Sequence, residues 1–410
     1  MSNRTLDSHV INKVTITPVE TYFGSPGRGR IVGRNAKSEN YGHNQREWLL
    51  QVMTDSGLTG LSNARPGMNG GGIVDLYDNF QDLIGQPLSE FFTVSAGRVI
   101  SINPRWSDLI DRYGFLDVAL FDLIGRALEK PAYSLLGDKI RSQIESYDST
   151  LYFQDLVTPA EGANAVAIEA MEAVAKGWRA LKLKLGRPGK WFEPHAGTYR
   201  DIEVVETVRR AVGDDIKILV DANNGYDGRL DLLQEFVIGI SDLNVMWMEE
   251  MVTENVADYR KLKDWRDKYT PETMIVDGEG HKGRQTIYWQ LMEQGLLDAI
   301  QPDMLHMGLW HYHILAQDIE ESGNHTLVAP HNYNAAYLGL RADIQFGAAT
   351  TRFVIAEDST LDFELYQGPE YVFKDGAYAV PDSPGLAVSI DQELYERVYK
   401  KMKRQLFKTG

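Results

Sequence analysis

The chain carries two hydrophobic rhythms, and one gives way to the other near Ile144. From Val14 to Tyr22 apolar and polar residues alternate. Glu47 to Asn63 (EWLLQVMTDSGLTGLSN) reads as two strands joined by a tight turn at Asp55-Ser56-Gly57. These segments predict a small antiparallel sheet. Phe23 to Asn35 and Arg65 to Gly72 are rich in Gly and Arg and suit surface loops rather than core elements. Helical patterns then run through Phe115 to Leu136, so the first 140 residues predict an α+β domain.

After Ile144, short apolar runs alternate with amphipathic helical stretches. The candidate strands are Glu145 to Leu151, Ala180 to Leu185, Lys217 to Asp221, Val245 to Glu249, Met274 to Asp277, Leu297 to Gln301, Thr326 to Ala329 and Phe353 to Ala356. Strand–helix steps of roughly 25 to 35 residues suit a parallel barrel, in which each helix covers one strand and returns. No Gly-rich dinucleotide or phosphate loop follows any of these strands, which argues against an open doubly wound sheet. Beyond them, Gly368, Pro369, Pro381 and Pro384 break the rhythm, and the tail is expected to pack back on the first domain.

Composition narrows the function. The 410 residues are 43% hydrophobic and 24% charged, the balance of a globular protein with a large core. The absence of cysteine excludes disulfides and thiolate metal sites, so any metal must use oxygen or imidazole ligands. A net charge of −16 disfavours nucleic acid as a partner but leaves a small substrate compatible. Met1 to Lys13 carries no apolar signal region, and nowhere do 18 apolar residues run together, so a cytoplasmic protein without a membrane partner is expected.

The chemistry lies where the strands end. In order, these ends carry Lys182 and Lys184, Asp221, Glu249 with Glu250, Glu279, Asp303, His331 and Glu357. A barrel builds its active site from the C-terminal ends of its strands. Any one of these acids alone would read as a cap of the following helix; the series points to a site. Asp221, Glu249 and Glu279 would converge within a few ångströms and repel one another without a cation, and an all-oxygen set favours Mg²⁺. Asn223 is a candidate for orienting Asp221, or a simple turn residue. Lys182 and Lys184 alternate onto one inward face, where a neighbouring cation lowers a lysine pKa and equips it to act as a base, against the plainer reading as structural ion pairs. His331 follows Asp303 by one strand, and a carboxylate on one imidazole nitrogen raises the basicity of the other. His281 and His306 also lie near strand ends, as candidates for supporting the site or touching substrate.

These residues resemble the enolase superfamily, specifically the mandelate racemase group of the mandelate racemase/muconate lactonizing enzymes, over nearly the whole chain. Lys182-Leu183-Lys184 is similar to its K-x-K motif, with the second lysine as base. Asp221 in VDANN, Glu249 in WMEE and Glu279 in DGEG resemble its three metal ligands, and Asp303 in QPD and His331 in APHN its Asp/His dyad. Glu357 in IAED resembles the acid that hydrogen-bonds the developing oxyanion, and LDVALFDLIGRALEKPAYSLLGDK and VPDSPGL resemble further family segments. The sequence departs from the family at Gly60-Leu61-Ser62-Asn63 and Gly308-Leu309.

The resemblance implies a modified TIM barrel, (β/α)7β, over 141–361, with an α+β capping domain formed by 1–140 and 362–410. It implies a Mg²⁺-dependent enzyme that removes the proton α to a carboxylate through an enediolate, a pairing of Lys or His base with Mg²⁺ that is general to this superfamily. Dehydration of a sugar acid to a 2-keto-3-deoxy acid is the favoured outcome. Racemisation or epimerisation of an α-hydroxy acid is the second, and a non-catalytic carbohydrate-acid binder the third. Arg28, Arg30 and Arg65 are candidates for binding a distal hydroxyl or carboxylate, against the plainer reading as solvated loop arginines. A homo-oligomer is also expected.

Overall fold

A computed structural model describes residues 3–22, 33–39, 44–65, 73–332, 336–361, 363–402 and 404–408. Near the N-terminus, β1 (Ile11–Tyr22), β2 (Asn44–Thr54) and β3 (Thr59–Ala64) form the antiparallel sheet that the alternation predicts. Helix α1 (Gly114–Ala127) packs against β3, with Asp122 accepting the Leu61 and Leu386 N–H groups. One buried carboxylate thus ties the sheet, α1 and the C-terminal tail together.

Eight parallel strands follow: β4 (Gln143–Leu151), β5 (Ala180–Lys184), β6 (Lys217–Asp221), β7 (Val245–Glu249), β8 (Met274–Asp277), β9 (Ala299–Ile300), β10 (Leu327–Val328) and β11 (Ala356–Asp358). Seven helical connections join them, led by α2 (Ala163–Ala175), α3 (Pro194–Val212), α4 (Leu230–Gly239), α5 (Val256–Tyr269), α6 (Ile287–Glu293), α7 (Leu309–Glu321) and α8 (Tyr337–Ala349). β11 pairs with β4 and closes the ring, giving the (β/α)7β barrel. The β10–β11 seam rests on a single bridge, Val328 to Phe353, where the other seams register two to five residue pairs. The last strand therefore lies at 356–358, not at Phe353 to Ala356, because the ladder resumes at the polar Glu357 and Asp358 beyond the apolar run.

The tail packs back as expected. β12 (Ala377–Ala379) pairs antiparallel with the start of β4, and β13 (Arg404–Lys408) adds an edge to β1. The interior of the barrel is plugged by Tyr147, Ala180, Leu219, Trp247, Val276, Ala299, Ala329 and Ile355. Among the described residues no helix is long and apolar enough to cross a membrane.

Candidate active site

Side chains alternate along a strand, so two residues beyond each plug residue the next one also faces inward. That register places Lys182 after Ala180, Asp221 after Leu219, Glu249 after Trp247, His331 after Ala329 and Glu357 after Ile355. Lys182 is fully buried and donates to Glu249 Oε1 at 2.8 Å, with Glu357 Oε1 at 3.2 Å and Asp221 Oδ2 at 3.6 Å. Lys184 donates to Asp221 Oδ2. On the far side, His331 Nε2 lies 3.2 Å from Glu279 Oε1 and 3.7 Å from Glu357 Oε2, while Nδ1 faces Asp303 Oδ2 at 3.6 Å. Asp303 is fixed by its other oxygen, which accepts the Leu305 and His306 N–H groups. Glu357 accepts the Asn332 N–H at 2.9 Å. The structure thus gathers the strand-end acids, both lysines and His331 into one connected group.

The electrostatics differ from the expectation for the lysines. Burial opposes their charge, but Asp221 and Glu249, joined by Glu357 at Lys182, outweigh both burial and the neighbouring ammonium, so both pKa values rise. Asp221 is correspondingly held below the ordinary carboxylate range: burial is outweighed by Lys184 and Lys182. Glu249 behaves oppositely, since burial together with Asp221 and Glu357 overcomes the two lysines and pushes it up to about 8. Burial, Glu250 and Asp221 push Glu279 up to about 7 despite His331. Burial also disfavours the imidazolium of His331, but Glu279, Glu357 and Asp303 raise it to about 10.

The three expected metal ligands do not draw together to within a few ångströms. Each carboxylate is claimed by a different cation: Asp221 by Lys184, Glu249 by Lys182, Glu279 by His331. Among the described residues, the trio that brings one oxygen from each residue to within 4.8 Å of the others is Glu250, Glu254 and Asp277. Asp277 and Glu254 belong to the other side of the barrel wall, and Glu250 stands between them and Glu279, whose pKa it raises. Val276 faces the plug, so Asp277 points outward to the Tyr259 hydroxyl of α5, while Tyr288 donates to Glu254 and the Asn223 amide to Glu250. Inside, Asp221, Glu249, Glu279, Asp303 and Glu357, when all are ionised, outnumber Lys182, Lys184 and a protonated His331 by two charges, an excess that Glu249 and Glu279 reduce by holding their protons to about pH 8 and 7. Glu249 Oε2 is buried without a hydrogen-bond partner among the described residues. An all-oxygen donor set with that charge excess and an orphaned carboxylate oxygen fits one divalent cation.

The remaining candidates separate. Asn223 braces Asp221 through its backbone N–H at 2.9 Å, not through its side chain, in a left-handed conformation (φ 44°). Arg65 is no solvated loop residue: it is buried and donates to the buried Glu47 at 3.2 Å, a carboxyl that burial pushes up to about 7 despite Arg65. His281 is buried against Thr286, and burial lowers its pKa to about 4. His306 sits at the end of the short helix Met304–Met307, and burial and Lys282 lower its pKa to about 4. Arg28 and Arg30 lie outside the described residues. Sequence reading passed over Gln301, which follows Ala299 by two residues; it is fully buried and neither amide atom finds a partner among the described residues. Its signal was the same two-residue register. Arg187, with no partner near it in sequence, was also missed.

Residues 165–394 match the family model described as enolase C-terminal domain-like, and the chain belongs to the enolase superfamily, in its mandelate racemase group. It is 24% identical to a D-galactarolactone cycloisomerase of Agrobacterium fabrum over 84% of this chain and 89% of that one. To a D-xylonate dehydratase of Haloferax volcanii it is 25% identical over 85% and 84%. A crystal structure of galacturonate dehydratase from Geobacillus sp., complexed with D-galacturonate and 5-keto-4-deoxy-D-galacturonate, superposes with a TM-score of 0.80 and 27% identity over 97% of this chain and 99% of that one. A mutant of the same enzyme, complexed with Mg, superposes at 0.81 and 27%, covering 97% of each chain.

Proposed function

We propose that this protein is a Mg²⁺-dependent hydro-lyase that removes the proton α to the carboxylate of a sugar acid and expels a β-hydroxyl, leaving a 2-keto-3-deoxy acid. The observation that carries this reading is the chain of contacts at the strand ends that runs from Lys184 through Asp221 to Lys182, from Lys182 to Glu249 and Glu357, and from Glu357 through His331 to Asp303. The sugar-acid dehydratases among its relatives support the substrate class. In this reading Asp221, Glu249 and Glu279 hold the cation, which when bound supplies Lewis-acid stabilisation of the enediolate charge. Lys184 takes the α-proton once it has given up its own. The electron pair left on Cα forms the double bond as the Cβ–O bond breaks. His331, held charged by its three carboxylates, gives its proton to the departing hydroxide, which leaves as water, and the enol then tautomerises to the ketone. Asp303 orients the imidazole, and Glu357 faces the carboxylate of the substrate. Arg65 and Glu47 line the cap above, in a division that assigns chemistry to 141–361 and cover to 1–140 with 362–410.

Epimerisation is the second reading, favoured by the placement of Lys184 and His331 on separate strands, β5 and just beyond β10, where Lys184 meets Asp221 and His331 meets Glu279, Asp303 and Glu357. Incubation with Mg²⁺ and a panel of aldonic, aldaric and uronic acids, scored for 2-keto acid, separates the two. Keto acid should form and should vanish on chelation, and Lys184→Ala should lower the rate by about 10²- to 10⁴-fold, the usual contribution of a general base. Activity that survives either treatment overturns the mechanism, and an epimer without keto acid selects the second reading.

A further inference from the structure

We propose that Arg187 is a positioning residue for proton transfer at Lys184, a role that rests on the reading of Lys184 as the base. Arg187 is fully buried three residues beyond the lysine. Its guanidinium grips Asp155 with two nitrogens, Nε at 3.0 Å and Nη2 at 2.6 Å. Nη1 reaches Asp201 at 2.7 Å and the Lys184 carbonyl at 3.4 Å. Asp201 in turn accepts the N–H groups of Gly186 and Arg187 and the hydroxyl of Tyr226. The partners come from separate elements: Asp155 follows β4, Asp201 lies on α3, and Tyr226 follows β6. Arg187 therefore pins the end of β5 to both neighbouring strand ends.

The path of the chain depends on that pin. Gly186 adopts φ +90°, and a Cβ there would stand 2.3 Å from the Ala222 carbonyl, directly after Asp221. Leu185 donates its N–H to the Asp221 carbonyl at 2.7 Å. The Lys184 backbone and the Asp221 backbone are thus locked together, and the arginine closes the lock from behind. Arg200 is also on Asp155 at 3.3 Å and turns its Nε to the exposed Glu203 at 2.8 Å, and none of these charges is among those that shift Lys184. The effect of Arg187 on Lys184 is one of placement, not of field. A lysine ammonium is a point charge on a flexible stem and cannot reproduce a planar fork that donates in three directions.

The test is solvent exchange read one face at a time. Full-length protein with Mg²⁺ in D₂O is presented with C2-epimeric pairs of hexonates and hexarates, and C2 deuteration of each epimer is followed by NMR. Lys184→Ala and His331→Asn assign each epimer to its base. In Arg187→Lys, exchange on the Lys184 face should fall about 10- to 100-fold, the effect of an ångström-scale misplacement, and in kcat rather than KM. Exchange on the His331 face should stay within about twofold. The control is Arg209→Lys, another buried arginine, which holds the carbonyls of Gly213, Ile216, Leu243 and Asn244 at the other end of α3. It should lower Tm and leave the ratio of the two faces unchanged. Equal slowing of both faces in Arg187→Lys, or the same skewed ratio in Arg209→Lys, overturns the positioning role. If Lys184→Ala exchanges and dehydrates every substrate as fast as the wild-type protein, the base assignment falls and takes this role with it.

Discussion

Inside the barrel, two levels of side chains stand on the same strands, two residues apart. The lower level, Tyr147 with Ala180, Leu219, Trp247, Val276, Ala299, Ala329 and Ile355, is almost wholly apolar and closes the barrel like a core. The upper level, Lys182, Asp221, Glu249, Gln301, His331 and Glu357, is as deeply buried yet almost wholly ionisable. Identical backbone geometry thus supports both. Burial strengthens packing in the lower level, whereas in the upper it opposes every charge and leaves polar atoms without partners. The lower level should carry stability and the upper one should spend it.

The sharpest test sets neighbours on one strand against each other. Trp247→Ala removes a side chain packed edge-on against Tyr147 at 5.3 Å and should lose about 3–5 kcal/mol in chemical denaturation, the usual range for a large aromatic in a core. Glu249→Gln, two residues on, should abolish turnover without lowering stability in chelator. Equal destabilisation by both would erase the distinction between levels.

A smaller effect separates the inner acids from the outer ones. If the inner set binds Mg²⁺, the metal at about a hundred times its Kd should stabilise the protein by about 2.7 kcal/mol. Thermal shift should show this gain lost in Asp221→Asn and kept in Glu254→Gln. The opposite pattern would transfer the metal to Glu250, Glu254 and Asp277.

The smallest effect is a pH slope. Glu279 at about 7 and Glu249 at about 8 both sit above the ordinary carboxyl value, so their protonated forms favour the folded state. Their contribution is complete below about pH 4.5 and is lost as pH rises through 7 and 8, at up to about 1.4 kcal/mol per pH unit for each group. Denaturation of chelated protein between pH 5 and 9 should show that decline, and saturating Mg²⁺ should flatten it. A stability that climbs with pH in chelator would contradict the burial argument.

Much of this arrangement was legible in the sequence where an apolar run ends abruptly in a charge. Lys217 to Asp221, Val245 to Glu249 and Met274 to Asp277 are strands at those very residues. Leu297 to Gln301 and Thr326 to Ala329 shrink to two residues each, because hydrophobicity marks a buried segment and not the length of its ladder. The site residues could be found from their order, but their pairings could not. Adjacent lysines in sequence suggested mutual depression of pKa, whereas Asp221 and Glu249 arrive from the next two strands and reverse it. Arg65 looked like a loop residue because its partner Glu47 stands across the hairpin, where Trp48 pairs with Ala64. The Arg187 bracket was invisible for the same reason.

The lone bridge between β10 and β11 has a further consequence. His331 lies just beyond one side of that seam and Glu357 on the other; the backbone ladder below them is reduced to the Val328–Arg352 and Val354–Val328 hydrogen bonds, and side chains add to it, Arg352 donating to the Asn324 and Thr326 carbonyls below and Glu357 accepting the Asn332 N–H above. Opening at this joint would part the imidazole from one of its carboxylates while leaving Lys182, Lys184 and Asp221 on their long, well-registered neighbours. The acid–base machinery is thus mounted unevenly, with the lysines on continuous backbone ladders and the histidine at a joint that side-chain hydrogen bonds help to close.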